Sequence, residues 1–350
     1  MNSAEEDGEA PPPRQTTVLF GHAAAEREFL DAYRSGRIPH AWLIGGEMGI
    51  GKATLAYRIA RFILASPDPT RRPASEATTL DIDPAHPAVR RVAVNAHSDL
   101  LVLERSEGDS GKLRTVITVD QVRRLTSFFG STAGEGGWRV CIVDSADELK
   151  FPEGSNALLK MLEEPPAHAL FLLVSHAPGR LLPTIRSRCR KLNLKPLAME
   201  DVVGAATAAL GLQADRPRIE QAAQAAGGSV ARALVLAGGP RLELHQRVIA
   251  MLADLPATDP TALHALGDRL DGSDRDALSV FLDAVRNWLS RRLDLQQVAE
   301  AQRHAASSLA RVADVWDRLN RQARDVETYN LDRKPLVFAV FGLLAEAARG

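Results

Sequence analysis

Cysteine is nearly absent. The chain of 350 residues has only Cys141 and Cys189. That excludes a disulfide framework and a four-cysteine zinc module, and it suits a reducing cytoplasm. Neither sign of charge is in excess: Lys and Arg number 43 against 44 Asp and Glu, a formal net charge of −1. No global basic field points to nucleic acid, so any DNA contact would be local. No run approaches the roughly 20 apolar residues of a membrane span. The opening segment, MNSAEEDGEAPPPR, carries four carboxylates and a proline run with no apolar stretch. It reads as a disordered tail, not a signal peptide, and predicts a cytoplasmic protein. What is present is ordinary for a soluble globular chain, 45% hydrophobic and 25% charged. The length is too great for one ordinary core, so two or three domains are expected.

Residues Ala23–Ser35 have a helical pattern that ends at Gly36. Ala41–Ile44 is a short apolar strand that leads into a glycine-rich turn, and Leu55, Ile59 and Ile63 then mark one face of a helix. Five prolines between 66 and 87 predict a long surface loop. Leu100–Leu103 reads as a strand, and Thr118-Val119-Asp120-Gln121 as a capping box that opens a helix through Phe129. Val140–Val143 and Leu170–Val174 read as buried strands, Lys191–Leu194 as a shorter one, and Ser155–Glu164 as a helix stopped by Pro165-Pro166. Apolar strands that alternate with helices imply a parallel sheet covered on both faces. From Leu197 onward only helical periodicity remains. Leu278, Phe281, Leu282, Val285 and Leu289 line one face, Leu309, Val312, Trp316 and Leu319 another, and Val337, Phe341 and Leu344 a last helix near Pro335. The expected layout is a tail over 1–17, an α/β core over 18–196, a small helical lid over 197–239 and an all-α bundle over 240–350.

The turn Gly46-Glu47-Met48-Gly49-Ile50-Gly51-Lys52 fits the phosphate-loop pattern G-x-x-x-x-G-K. Its glycines let backbone N–H groups close around a phosphate, and Lys52 can reach the terminal phosphates. The next position, normally Ser or Thr, is Ala53, so the hydroxyl that would hold Mg²⁺ is missing. Thr54 sits one step further, rotated by about 100° on a helix. The strand Val140–Val143 ends at Asp144 and resembles a Walker B strand, whose terminal Asp sits near the metal, although Asp144 could also merely cap the strand; Ser145 follows it. A serine hydroxyl is too weak a base at neutral pH to orient an attacking water as a Glu would. Asp147 and Glu148 read as an N-cap and a first-turn acid of the next helix. Arg186, Arg188 and Arg190 alternate, and would share one face if that stretch were extended. Arg123 and Arg124, with Arg90 and Arg91, read as solvated helix faces.

The stretch Asn156-Ala157-Leu158-Leu159-Lys160-Met161-Leu162-Glu163-Glu164-Pro165-Pro166, followed by Ser187-Arg188-Cys189, resembles the bacterial clamp-loader subunits of the AAA+ class. The resemblance covers most of 18–240. Gly36–Ile44 and Tyr329-Asn330-Leu331-Asp332-Arg333-Lys334-Pro335-Leu336 add to it. It implies an AAA+ core, a helical lid and a C-terminal collar. It makes Arg188 resemble the arginine finger that enters the ATP site of an adjoining subunit, and places Ser175 at the sensor-1 position. Gly228-Ser229-Val230-Ala231-Arg232 is similar to the sensor-2 segment, with Ala231 where active relatives carry arginine. The zinc module of many relatives is missing, since 66–98 holds no cysteine.

The resemblance therefore implies a component of a DNA polymerase holoenzyme that sits beside gamma/tau and delta subunits and helps to load a sliding clamp onto primed DNA. Gly46, Gly49, Gly51, Lys52, Thr54, Asp144 and Ser175 would form a nucleotide site, passive or vestigial, with Mg²⁺ only if nucleotide binds and with no zinc. The missing hydroxyl, Glu and sensor-2 Arg argue against ATP turnover in cis, while Arg188 is retained to act in trans. Two other readings remain open. One is an active ATPase of the same fold, such as a motor or a helicase-loading remodeller. The other is a scaffold with an inert arginine.

Overall fold

The computed structural model describes residues 11–108, 113–130, 134, 137–211, 214–271, 274, 276–300, 314–315, 317–319, 321–326 and 331–349, with backbone alone at 291–300 and 347–349. The chain divides into two compact units, Met1–Leu234 and Val235–Gly350.

The first unit is built on five strands: β1 (Ala41–Gly45), β2 (Leu100–Glu104), β3 (Arg139–Asp144), β4 (Ala169–Ser175) and β5 (Arg190–Asn193). They form one sheet in the order β2-β3-β4-β1-β5. Every pairing is parallel. β1 and β4 are buried along their whole length, as unbroken apolar runs in a sheet covered on both faces should be. Alternation sorts the side chains to two cores. Trp42, Ile44, Ile142, Leu172 and Val174 pack with α1 (Ala23–Arg34) and α2 (Lys52–Ala65). Leu43, Cys141, Val143, Phe171 and Leu173 pack with α4 (Val119–Gly130), α5 (Glu153–Glu163) and α6 (Pro183–Arg188). Burial of each large side chain contributes about 1.5–3 kcal/mol. The short α3 (Pro87–Ala93) tucks Ala88 and Val92 against the α2 side. This is the α/β phosphate-loop arrangement of the AAA+ class. β1 runs into the loop, and β3, which ends at Asp144, lies one strand away across β4.

The capping box forms as expected: the Thr118 N–H donates to Gln121 Oε1 at 2.9 Å and the Gln121 N–H to Thr118 Oγ1 at 3.4 Å. Three expectations are corrected. Residues 11–17 are held, not loose. Arg61 donates to the carbonyls of Arg14 at 3.0 Å and Thr16 at 2.6 Å, and Arg58 donates to that of Thr17. Polar composition suggested disorder, but two buried guanidiniums supply the ordering that the arm's own residues lack. Residues 1–10 lie outside the described residues. Next, 183–188 is a helix with Pro183 in its first turn, so Arg186 and Arg188 do not share an extended face with Arg190. Finally, 146–148 is a single 3₁₀ turn and not the start of the next helix.

The segment expected as a separate lid begins with α7 (Met199–Leu210), α8 (Arg216–Ala226) and the first turn of α9 (Val230–Ala237), and these belong to the first unit. The second unit is helical, with α10 (Arg241–Ala253), α11 (Pro260–Leu270), α12 (Ala277–Glu300) and α13 (Lys334–Arg349) among its described elements. Leu278, Phe281, Leu282, Val285 and Leu289 are buried as their spacing predicts, and so are Val337, Phe341 and Leu344. Arg241 bridges Asp274 at 3.1 Å and Asp276 at 2.9 Å. The Asp332 carboxylate accepts from the Lys334 N–H at 3.0 Å and so caps α13. Leu309, Val312 and Trp316, like Tyr329 and Asn330, lie outside the described residues. No helix among the described residues is long and apolar enough to cross a membrane.

Candidate functional site

The phosphate loop closes as its glycines require. Gly46, Gly49 and Gly51 have φ of +145°, +78° and +97°, backbone that residues with a side chain rarely adopt. Lys52 opens α2 and is only 3% exposed. Its ammonium donates to the Glu47 carbonyl, within the loop itself. Burial lowers its pKa from 10.5 to about 8, against the pull of Asp144, Asp147 and Glu47. The unfolded chain keeps this proton longer, so Lys52 makes folding more favourable as pH climbs from about 8 toward 10.5. Attraction for phosphate runs the other way, since the side chain is cationic only below about 8. Binding of a nucleoside triphosphate without metal is expected to weaken between pH 7 and 9. A titration that is flat over this interval would mean either that Lys52 keeps its charge to higher pH or that it does not touch the phosphate.

A cavity of about 730 Å³ opens beside the loop, bordered by Lys52, Ala53, Thr54, Asp144, Ser145 and His176. Ala53 brings a methyl to the wall where a hydroxyl would be needed. Burial raises the pKa of Asp144, the nearby Glu104 adds to the rise, and Lys52 opposes it. Among the described residues no group of His, Cys, Asp and Glu has the geometry to hold a metal. A phosphate-loop Mg²⁺ is held by a Ser or Thr hydroxyl together with the nucleotide's phosphates and water, and Ala53 offers no side-chain oxygen for that contact.

Ser145 follows Asp144 at the end of β3. It shares a hydrogen bond with His176 Nε2 at 2.8 Å, and its hydroxyl lies 3.5 Å from Asp144. Burial lowers the His176 pKa, and Lys52 adds to the effect, so the imidazole is neutral at pH 7. Asp147 accepts from the His176 N–H at 2.9 Å, and Glu148 pairs with Arg105 at 2.9 Å. Neither acts as the helix cap and first-turn acid that the sequence suggested. They join the turn after β3 to the end of β4 and to Arg105, just past β2. Ser175 is another departure. It is fully buried, its hydroxyl finds no partner among the described residues, and it does not border the cavity. Side chains alternate along a strand, so Val174 and His176 face the cavity while Ser175 faces the opposite core. That alternation was readable in the sequence and would have pointed to His176.

The lid segment meets the loop directly. The backbone N–H groups of Val230 and Ala231 donate to the Gly49 carbonyl at 2.9 and 3.3 Å. A Cβ built on Gly49 would lie 2.3 Å from Ser229 Oγ and 2.7 Å from the Ala231 Cβ. Glycine at 49 and alanine at 231 thus allow the end of α9 to sit on the phosphate loop. Arg232 turns back, and its Nη1 donates to the Ala226 carbonyl at 2.8 Å.

Arg188 is the last residue of α6, on the other core's side of the sheet. Ile185 and Cys189 fix the helix in that core, at 0% and 9% exposure. Burial pushes the Cys189 thiol up to about 12, so it is a packing residue and not a nucleophile. The Arg188 guanidinium donates to the Thr184 carbonyl at 2.9 Å and to Glu163 Oε1 at 2.8 Å, with its side chain 35% exposed. Among the other basic residues, Arg123 pairs with Asp120 at 3.1 Å in the open, and Arg91 reaches back to the Pro87 carbonyl at 3.4 Å.

The family model described as DNA polymerase III, delta subunit, matches residues 21–198. That interval holds the loop, Asp144, the α5 motif and Arg188. Over 150 residues the chain is 40% identical to DNA polymerase III subunit delta' of Pseudomonas aeruginosa, which covers 43% of this chain and 41% of that protein. The delta' subunit of Escherichia coli strain K12 is 33% identical over 165 residues, 47% of this chain and 45% of that one. Identity to the gamma/tau subunit of Mycobacterium bovis is 29% over 262 residues, 73% of this chain and 42% of that one. The chain thus spans less than half the length of these relatives. The loop, the sheet order and the helix that ends in Arg188 lie where the family match runs, and the chain belongs to the DNA polymerase III delta-subunit family, in its delta-prime group.

Proposed function

We propose that the chain is a catalytically silent subunit of a clamp loader, a stator that lends Arg188 to the ATP site of a neighbouring gamma/tau-type subunit. The observation that carries this reading is the contrast between two sites on one sheet. In the cis site the Mg²⁺ hydroxyl is replaced by Ala53, the position of the water-orienting Glu is a serine tied to a neutral histidine, and the lid backbone is hydrogen-bonded to the loop. At the trans site an arginine stands on a helix fixed in the core, with two of its five N–H donors used inside the chain. A gamma/tau neighbour and a delta subunit would complete the ring. The ring would open the sliding clamp and place it on primed DNA through local phosphate contacts. The helical second unit would contribute to a collar.

A second reading has one observation in its favour: Arg188 is already paired with Glu163 at 2.8 Å, as an inert structural arginine would be. Loss of turnover in the Arg188→Ala assembly separates these two readings, and turnover by the chain alone tests whether its own site is silent. The purified chain alone is expected to hydrolyse ATP at background rate, and turnover should appear on assembly with gamma/tau and delta subunits. Turnover by the chain alone that Lys52→Ala abolishes would refute the silent stator.

A further inference from the structure

The partner of Arg188 sits at an unusual place. Glu163 is the last residue of α5, and Glu164 follows it before Pro165 ends the helix. Carboxylates at a helix C-terminus face the negative end of the helix dipole, so these acids do not serve the helix they end. Nor does the ion pair serve stability, because its partners are 35% and 43% exposed and exposed pairs add little. What the pair does add is geometry. His40 Nε2 shares a hydrogen bond with the Leu162 carbonyl at 3.1 Å, which ties the end of α5 to the segment just before β1. Leu162 itself is 2% exposed. The adjacent carboxylate therefore projects from a fixed backbone. On the other side, α6 is held by buried Ile185, and Arg188 Nη1 is tied to the Thr184 carbonyl. The guanidinium is thus held at two corners, Nη1 by its own helix and Nη2 by Glu163. Among the described residues Nε and the remaining N–H groups of the two Nη atoms have no acceptor and are open to an outside one.

We propose that Glu163 is a positioning residue for Arg188: it fixes the plane of the guanidinium so that the unused N–H donors meet the γ-phosphate of a neighbouring subunit. This rests on the reading of Arg188 as a trans arginine. A flexible arginine would lose side-chain freedom on reaching the phosphate, whereas one already held in place loses less. Glu163 touches neither nucleotide nor metal in this arrangement and acts only through Arg188.

The test is single-turnover phosphate release by the complex reconstituted with gamma/tau and delta subunits, compared for the unaltered chain, Glu163→Ala, Glu163→Gln and Arg188→Ala. Glu163→Ala is expected to slow release at the site that Arg188 completes by about 10-fold to 100-fold. The KM for ATP and the melting temperature should not change. Glu163→Gln keeps an acceptor oxygen and should fall between Glu163→Ala and the unaltered chain. If Arg188→Ala stops this release and Glu163→Ala leaves it unchanged, the positioning role is wrong and the trans arginine stands. Faster release in Glu163→Ala would mean that Glu163 sequesters the arginine, and would also overturn the proposal. If Arg188→Ala itself has no effect, the trans reading beneath it falls.

Discussion

Replacing Arg188 with alanine in the assembled complex is expected to lower ATP turnover at the site it completes by about 10³-fold or more, the range seen when NTPases lose an arginine finger. The physical basis is charge. As the γ-phosphate leaves, negative charge spreads over its oxygens, and a guanidinium held against them stabilises the transition state more than the ground state. Arg188 is suited to this because its helix is anchored by Ile185 and Cys189 while its side chain remains 35% exposed. Arg188→Lys should recover little, since an ammonium is a point charge and cannot keep both the Thr184 and Glu163 contacts while it reaches outward. Folding of the isolated chain should be nearly untouched, because the pair it loses is half-exposed. Phosphate release and thermal melting of the same variant check both halves. Unchanged turnover with intact assembly would leave Arg188 a surface ion-pair residue and favour the scaffold.

Replacing Arg58 with alanine is expected to destabilise the first unit by about 3–5 kcal/mol, the cost of breaking a buried ion pair by removing one partner. Arg58 is 5% exposed and bonds Glu26 at 2.6 Å, Asp81 at 2.9 Å and the Thr17 carbonyl. Asp81 is 69% exposed and would turn to water. Glu26 is 13% exposed and would be left without this partner in a nearly closed space. The melting temperature should fall by on the order of 10 °C, and the arm over 11–17 should become protease-sensitive. The double change Arg58→Met with Glu26→Gln should cost less than Arg58→Ala alone, because it removes both charges and keeps most of the packing. A loss below about 1 kcal/mol in urea unfolding of Arg58→Ala would show that Glu26 reaches water unaided.

This anchor was the least legible part of the fold. Pro11–Thr17 is polar and proline-rich, and nothing within it signals order. Its partners Arg58 and Arg61 lie more than forty residues later, on the face of α2 that the sequence marks only by two arginines among apolar residues. Arg61 is buried enough that its pKa falls to about 10, with Arg58 adding to the effect. The phosphate loop, by contrast, was legible to the residue, because a strand, a glycine turn and a lysine must occur at fixed spacing to form it. The capping box at Thr118 and the proline stop after Glu164 were legible for the same reason. The helix α6 had a usable signal in Pro183, which suits a first helical turn, yet the alternating arginines were also compatible with an extended stretch. The choice of His176 over Ser175 as the residue facing the cavity followed from strand alternation alone.

Sequence by itself determined most of the elements and the residue types at the site: apolar strands, the phosphate loop without its hydroxyl, a serine after Asp144, and an arginine after Ser187. These depend on backbone sterics and on which residue types stand within a few positions of one another, and both are written locally. Tertiary structure alone decided the pairings: Arg188 with Glu163, Ser145 with His176, the arm with Arg58 and Arg61, and the Gly49 carbonyl with the start of α9. Each joins segments far apart in the chain, and each depends on how the packed sheet and helices leave a polar group facing one neighbour and not another.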